Sequence, residues 1–250
     1  MKKLLIAAAV LAALPLVAAA DGGWAGSGEL GFAASRGNAK SENLNAKLNF
    51  SMEDDVWKDN FYLSALRSKG NTTSIETIGG VPTAVTRYDY TANRYEAGAS
   101  AGYKFDERSY LVGALRYEND DFSPFNYQAV LSLGYGYTAI KNERTELFFE
   151  IGPGYKRFEP ILTGKTESDV VGRGLIGYRH RFNENTAFEN TFLVEAGSDN
   201  TFYQNDAGLV VNMNKTLALK LGYQVRHNTD VAPGIKKTDQ LMTTNLVYNF

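Results

Sequence analysis

The chain has 250 residues, 44% hydrophobic and 22% charged, with 26 basic and 28 acidic side chains and no cysteine. This balance excludes a bundle of membrane-spanning helices, a disulfide scaffold, thiolate chemistry and a cysteine-based metal site, and the lack of a long single-sign run excludes a nucleic-acid footprint. Twenty-four glycines, 15 tyrosines and 14 phenylalanines against six prolines form the composition of pleated, aromatic-rich strands.

Lys2 and Lys3 precede an apolar run from Leu4 to Val17, and Ala18-Ala19-Ala20 supplies small residues for cleavage before Asp21. Residues 1–20 therefore read as a secretory signal peptide, too short and too weakly flanked by charge for an anchor. From Trp24 the chain alternates with a strand period: Trp24, Gly26, Gly28, Leu30 and Phe32 share one face, and Ala25, Ser27, Glu29 and Gly31 the other. Leu44, Ala46, Leu48, Phe50 and Met52 alternate with Asn43, Asn45, Lys47, Asn49 and Ser51. The pattern returns at 127–137, 147–155 and 217–225, in strands of about ten residues, long enough to cross a bilayer when tilted.

Short polar turns recur at Glu53-Asp54-Asp55, Asp106-Glu107-Arg108, Lys141-Asn142-Glu143, Asn183-Glu184-Asn185 and Asn212-Met213-Asn214. Longer polar connections fall between them at roughly 36–41, 67–88, 118–125, 157–168, 197–201 and 227–239, so short and long connections alternate as in consecutive hairpins. The count predicts an all-β fold, an up-and-down antiparallel transmembrane β-barrel of about 12 strands with both termini on the short-turn side. No domain boundary interrupts residues 21–250.

Alternation alone does not say which face is outside. A barrel of this size encloses a lumen too wide for small residues to fill, and its non-apolar face is rich in Gly, Ser, Asn and charges, which suits a wet interior. Aromatics gather near strand ends: Trp24, Trp57, Tyr103, Phe105, Tyr137, Phe182 and Phe188 beside the short turns, and Tyr88, Tyr90, Tyr117, Phe122, Phe125, Tyr155 and Phe202 beside the long loops, as in two interfacial girdles. The chain ends with Leu246, Tyr248 and Phe250 on one face, a C-terminal assembly signal of outer-membrane barrels. Because open sheet edges are costly in lipid, residues 24–35 are expected to pair with 239–250.

Nearly the whole mature chain resembles the YdiY-like, salt-induced outer-membrane protein family. The resemblance rests on Trp24-Ala25-Gly26, Leu30-Gly31-Phe32 with Arg36-Gly37-Asn38, the run from Leu115 to Asp120, Gly134-Tyr135-Gly136-Tyr137, Gly152-Pro153-Gly154-Tyr155 and the terminal Leu246 to Phe250. It implies a barrel, a location in the cell outer membrane and a link to salt or osmotic stress; it carries no catalytic motif.

Catalytic constellations are weak. His180 belongs near the short-turn rim and His227 near the opposite rim, a strand length apart. Ser198 and Asp199 share the outer rim with His227, adjacent Asp120 and Asp121 read as a solvated turn, and Gly164-Lys165-Thr166 lacks both the first glycine and the helix of a phosphate loop. Asp120, Asp121, Glu167 and Asp169 lack the spacing of a dedicated calcium loop.

With the apolar faces toward lipid, Glu29, Lys47, Arg94, Glu96, Arg116, Glu150, Arg173, Glu189, Glu195, Lys220 and Arg226 point into the lumen. Two arrangements follow: a water-filled conduit with opposed charge patches, or a narrow barrel whose acids and bases pair. Mixed signs favour pairing, since a selective pore lines its constriction with one sign. The stretch 67–88 is the longest irregular segment, an exposed loop that could fold into the mouth or bind at the surface.

The expected protein is a monomeric, non-enzymatic outer-membrane barrel, without cofactor or metal, serving envelope integrity or narrow small-solute permeability. Its expected partners are outer-membrane lipids, lipopolysaccharide and the barrel-assembly machinery, with no nucleic acid. A lipid or peptide hydrolase using rim histidine and acids, and an adhesion or ligand-binding barrel using the long loops, are the alternatives.

Overall fold

The computed structural model describes residues 23–35, 41–231 and 236–250. The expected signal peptide and parts of the connections 36–41 and 227–239 lie outside the described residues. The strands are β1 (Trp24–Ser35), β2 (Ser41–Glu53), β3 (Trp57–Ile78), β4 (Val81–Lys104), β5 (Ser109–Asp120), β6 (Phe125–Lys141), β7 (Thr145–Pro160), β8 (Glu167–Arg181), β9 (Thr186–Ala196), β10 (Thr201–Asn212), β11 (Leu217–Asn228) and β12 (Thr238–Asn249). They form a closed up-and-down barrel in which each strand pairs with its sequence neighbours and β12 returns to β1. The alternation read from the sequence is thus the alternation of the wall.

Outward side chains are apolar and uncovered: Leu111, Leu115, Leu131, Leu133, Ile151 and Tyr155 are between 42% and 71% exposed. Inward side chains on the same strands are buried, among them Tyr110, Val112, Arg116, Glu118, Val130 and Glu150. A wall that hides its charges and presents Leu, Ile and Tyr is arranged for a hydrocarbon surround.

All five short turns share one device. The first Asx side chain accepts two backbone N–H groups, two and three residues ahead: Asp54 from Val56 and Trp57, Asp106 from Arg108 and Ser109, Asn142 from Arg144 and Thr145, Asn183 from Asn185 and Thr186, and Asn214 from Thr216 and Leu217. The short carboxylate or amide satisfies donors that the ladder leaves behind at the reversal. Each such turn starts the next strand in register.

The long side departs from the expectation. Residues 67–88 form no irregular loop but continue the ladder: β3 and β4 run 22 and 24 residues and meet at a two-residue tip, Gly79-Gly80. Both tip glycines have positive φ, 60° and 87°, which a tight hairpin turn demands and a side chain would strain. Alternating Thr, Val, Ile and Tyr continue the strand pattern, and Ile78 pairs with Val81. Because β2 reaches only Gly70 and β5 only Arg94, the upper part of this hairpin stands clear of its neighbours. Two other outer connections, 121–124 and 197–200, are as short as the turns on the opposite side. Strand lengths range from 11 to 24 residues rather than clustering near ten.

The outer girdle also needs correction. Tyr117, Phe122 and Tyr155 are exposed, but Phe125 and Phe202 are 8% and 1% exposed and face the lumen. A register shift in β6 between Phe125 and Tyr127 turns Phe125 away from the side its spacing implies. Phe202 shares the inward parity of Gln204 and Asp206.

The expected closure of β1 on β12 is present, over part of the strands. Ser27↔Asn249, Gly28↔Tyr248, Glu29↔Val247 and Leu30↔Leu246 are matched, and Gly26 and Phe250 exchange N–H and carbonyl at 2.8 and 2.9 Å.

Candidate functional site

The lumen is the concave, chemically dense part of the protein, and the wall's period places its charges there. Ten of the eleven lumen residues expected from the sequence line one cavity of about 580 Å³: Glu29, Lys47, Arg94, Glu96, Arg116, Glu150, Arg173, Glu189, Glu195 and Lys220. Arg226 is inward as well but sits in the layer above, in contact with Glu118 and Asp120.

That layer is a connected set of ion pairs across the barrel. The Arg116 guanidinium grips Glu195 through two N–H groups, one at 3.0 Å from Nε, and donates from Nη1 to Glu118 at 2.8 Å. Arg226 donates to Glu118 at 2.5 Å and to Asp120 at 3.0 Å. Gln128 adds a third kind of donor to Glu118 at 3.2 Å. Phe202 lies between the two arginines, each guanidinium carbon 5.0 Å from its ring centre. Beside it, Arg94 donates to Gln224 at 2.5 Å, Gln224 and Gln204 donate to Asp206, and Tyr62 donates to Glu96 at 2.5 Å.

The topology gives this layer its meaning. In a ring of twelve, β5 and β11 are six strands apart and therefore opposite, so the Glu118–Arg226 bond spans the lumen from wall to wall. Glu118 and Glu195 are each 1% exposed. Two isolated carboxylates this deep would be expensive; paired with arginines and further hydrogen-bonded, they are compensated. The arrangement bridges the lumen at the level of Arg116 and Glu118.

Below it, pairing is looser. Lys220 bonds Glu29 at 2.8 Å, with Asn245 donating to the other Glu29 oxygen; Arg173 bonds Glu150 at 3.0 Å, with Tyr110 donating to Glu150 at 3.2 Å. Near the short turns, Lys104 and Lys141 bond Glu53 at 2.7 and 2.6 Å, and Lys58 reaches Glu146 at 2.9 Å. Among the described residues, Lys47 has no carboxylate within ion-pair distance; its ammonium stands 5.7 Å from the centre of the Tyr62 ring, and Glu29 lies across the ladder from it.

Sequence reading missed Glu118, Asp206, Gln128, Gln204 and Gln224. Glu118 lies at the edge of a presumed loop, although it shares the parity of Arg116. The glutamines carry no charge to mark them, although Gln204 shares the parity of Asp206 and Gln224 that of Lys220 and Arg226.

The histidines are separated as expected. His180 shares a hydrogen bond with Thr145 at 2.9 Å beside the short turns, and His227 with Thr238 at 2.8 Å at the other end. Ser198 donates to Asp169, at 3.0 Å, rather than to Asp199 or a histidine. Asp120 is engaged by Arg226 and Asp121 by Asn93. Among the described residues no group of three or more His, Asp or Glu is arranged to hold a metal ion.

In the turns, backbone donation from Trp57 and then Val56 holds the Asp54 carboxyl below its ordinary range, and donation from Arg108 and then Ser109 does the same for Asp106.

Residues 28–250 match the family described as protein of unknown function, DUF481. The chain is 24% identical to the uncharacterized protein YdiY of Escherichia coli (strain K12) over 220 residues, 88% of this chain and 80% of that one. Among solved structures it is similar to an outer-membrane channel of Pseudomonas putida F1 (11% identity, 93% of this chain and 96% of the other, TM-score 0.49). It is also similar to the translocator domain of the autotransporter NalP from Neisseria meningitidis (11%, 98% and 94%, TM-score 0.47).

Proposed function

We propose that this chain, which belongs to the DUF481 family of proteins of unknown function, is a non-enzymatic barrel of the Gram-negative outer membrane whose axis is held shut by paired side chains. The observation that carries the reading is the wall-to-wall bond between Arg226 and Glu118, inside a layer that also ties Arg116 to Glu195. Opposite charges paired across one level of the lumen favour mutual pairing over selection of one ion sign.

The exposed Leu, Ile and Tyr belt supports contact with outer-membrane lipid and lipopolysaccharide, and the terminal Leu246, Tyr248 and Phe250 support recognition by the barrel-assembly machinery. The protein acts as a monomer, strengthening the envelope without leak, and small polar solutes enter only the lower cavity. Its link to salt and osmotic stress comes from the family resemblance.

Single-channel recording in planar bilayers, with heat-modifiable gel migration as proof of closure, tests the reading. A folded barrel that stays electrically silent supports it, and discrete open steps in the unaltered protein would overturn the closed axis.

A further inference from the structure

Every neighbouring strand pair except one is matched over ten or more register positions; β1 and β12 are matched over four. The seam closes from the short turns as far as Leu30↔Leu246 and stops. Continued, the same register would set Phe32 opposite Thr244 and Ala34 opposite Met242, yet the segments Gly31–Ala34 and Met242–Asn245 remain strand bonded only on their other sides, to β2 and β11. At Gly31 the strands still abut, since a Cβ there would run into the Asn245 amide and the Thr244 carbonyl. Above it Phe32 is 70% exposed and Met242 80%.

Three other observations converge on this slit. Leu241, Thr243, Asn45 and Leu66 line the lumen cavity, so the cavity reaches the inner side of the slit. Above it the Glu118–Arg226 pair spans the lumen and, on the reading proposed above, shuts the axial exit. Lys47, a lumen cation with no carboxylate within ion-pair distance among the described residues, pairs in register with Glu29, two residues below Gly31. Unpaired backbone facing hydrocarbon costs several kcal/mol per group, so an open edge in a membrane wall calls for an occupant. A small-residue edge flanked by Phe32 and Met242 accepts an alkyl chain, and an ammonium without a close ion pair in a polar cavity accepts a carboxylate.

We propose that the parted seam between β1 and β12 is a lateral portal through which a single-chain carboxylate amphiphile enters from the membrane, its head drawn toward Lys47 and its chain lying between Phe32 and Met242. The inference rests on the membrane-barrel reading above. It adds a binding activity to a barrel whose axis is shut.

The experiment uses the full mature chain refolded into phosphatidylcholine liposomes, with insertion established first by flotation and heat-modifiable migration; a chain that fails to insert sinks the membrane reading itself. In the inserted protein, 11-(dansylamino)undecanoic acid should show saturable, blue-shifted emission beyond that of empty liposomes. Because the chain has no cysteine, the double variant Ala34→Cys, Met242→Cys can be locked by oxidation or, across a wider gap, by bismaleimidoethane. Locking by disulfide should abolish binding and reduction should restore it, which excludes misfolding as the cause. Ala33→Trp, which fills the slit without any cross-link, should weaken binding at least tenfold. Lys47→Gln should weaken the carboxylate probe at least tenfold while leaving its alcohol-headed counterpart nearly unchanged. Binding that survives both the locked seam and Ala33→Trp, or an inserted protein that binds the probe no better than lipid alone, would overturn the portal.

Discussion

Arg226 on β11 and Glu118 on β5 meet at 2.5 Å, although their strands stand on opposite sides of a twelve-stranded ring. A bond between opposite walls braces the cylinder across its lumen at that height. Removing one member leaves the other buried and uncompensated, so Glu118→Ala should destabilise the barrel by about 3–5 kcal/mol. Chemical unfolding in detergent micelles measures this, and a loss under 1 kcal/mol would show that the layer carries little of the stability.

The same pair supports a conductance prediction. The double variant Glu118→Ala, Arg226→Ala removes both charges together, so neither is stranded, and the axis opens. Discrete steps should appear in bilayers where the unaltered protein is silent; continued silence would place the block elsewhere in the lumen.

The Asx turns make the short-turn side sensitive to acid. Asp54 and Asp106 have carboxyls held below their ordinary range by backbone donors, so their contribution is fully present above the unfolded carboxylate pKa of about 3.9 and is lost as pH falls through the lower folded value. Asn142, Asn183 and Asn214 make the same turns without a titrating group. The variant Asp54→Asn, Asp106→Asn should therefore flatten the acid limb of the stability profile, followed by heat-modifiable migration from pH 6 to pH 2. An unchanged acid limb would mean that these caps do not govern it.

At the seam, the Phe250 ring occupies the space over Gly26 and packs edge-on against Phe50 at 5.8 Å. Phe250→Ala should lower stability by about 1–2 kcal/mol, the share of a half-buried aromatic, and should slow assembly. Gly26→Val should produce a similar loss by displacing the ring. Refolding kinetics and unfolding midpoints of the two variants check both statements.

The free part of the β3–β4 hairpin contributes little to the barrel, because beyond Gly70 and Arg94 its strands pair only with each other. Replacing residues 72–87 by an Asn-Gly turn joining the paired Asn71 and Tyr88 should leave thermal stability unchanged within about 0.5 kcal/mol. If the protein adheres to a surface through this blade, the same excision should abolish adhesion; adhesion that persists would point to another loop.

Much of this was legible in the residues. Leu44 to Met52 and Leu217 to Val225 alternate with period two, and in a strand that period is the pleat, so inward charges such as Glu29, Arg116 and Arg226 follow from parity, while Glu118, at the edge of a presumed loop, is missed. Asp106 and Asn183 marked their turns because a short acceptor side chain can satisfy the donors of a reversal locally. Parity fails where the ladder gains a residue: the shift in β6 sends Phe125 inward against its spacing. Local polarity fails too, since Thr72 to Thr77 read as loop chemistry but bond to an equally polar partner strand.

The sequence by itself determined the strand period, the up-and-down order, the apolar outer face and most of the lumen charges, because each depends on neighbours one or two residues apart. Tertiary structure alone decided that Arg226 reaches Glu118, that Arg116 takes Glu195, that Lys47 is left with the Tyr62 ring, and that β1 and β12 part above Leu30. These are relations between residues tens to hundreds of positions apart, set by how the ring closes and how far its walls approach, and no local pattern encodes that distance.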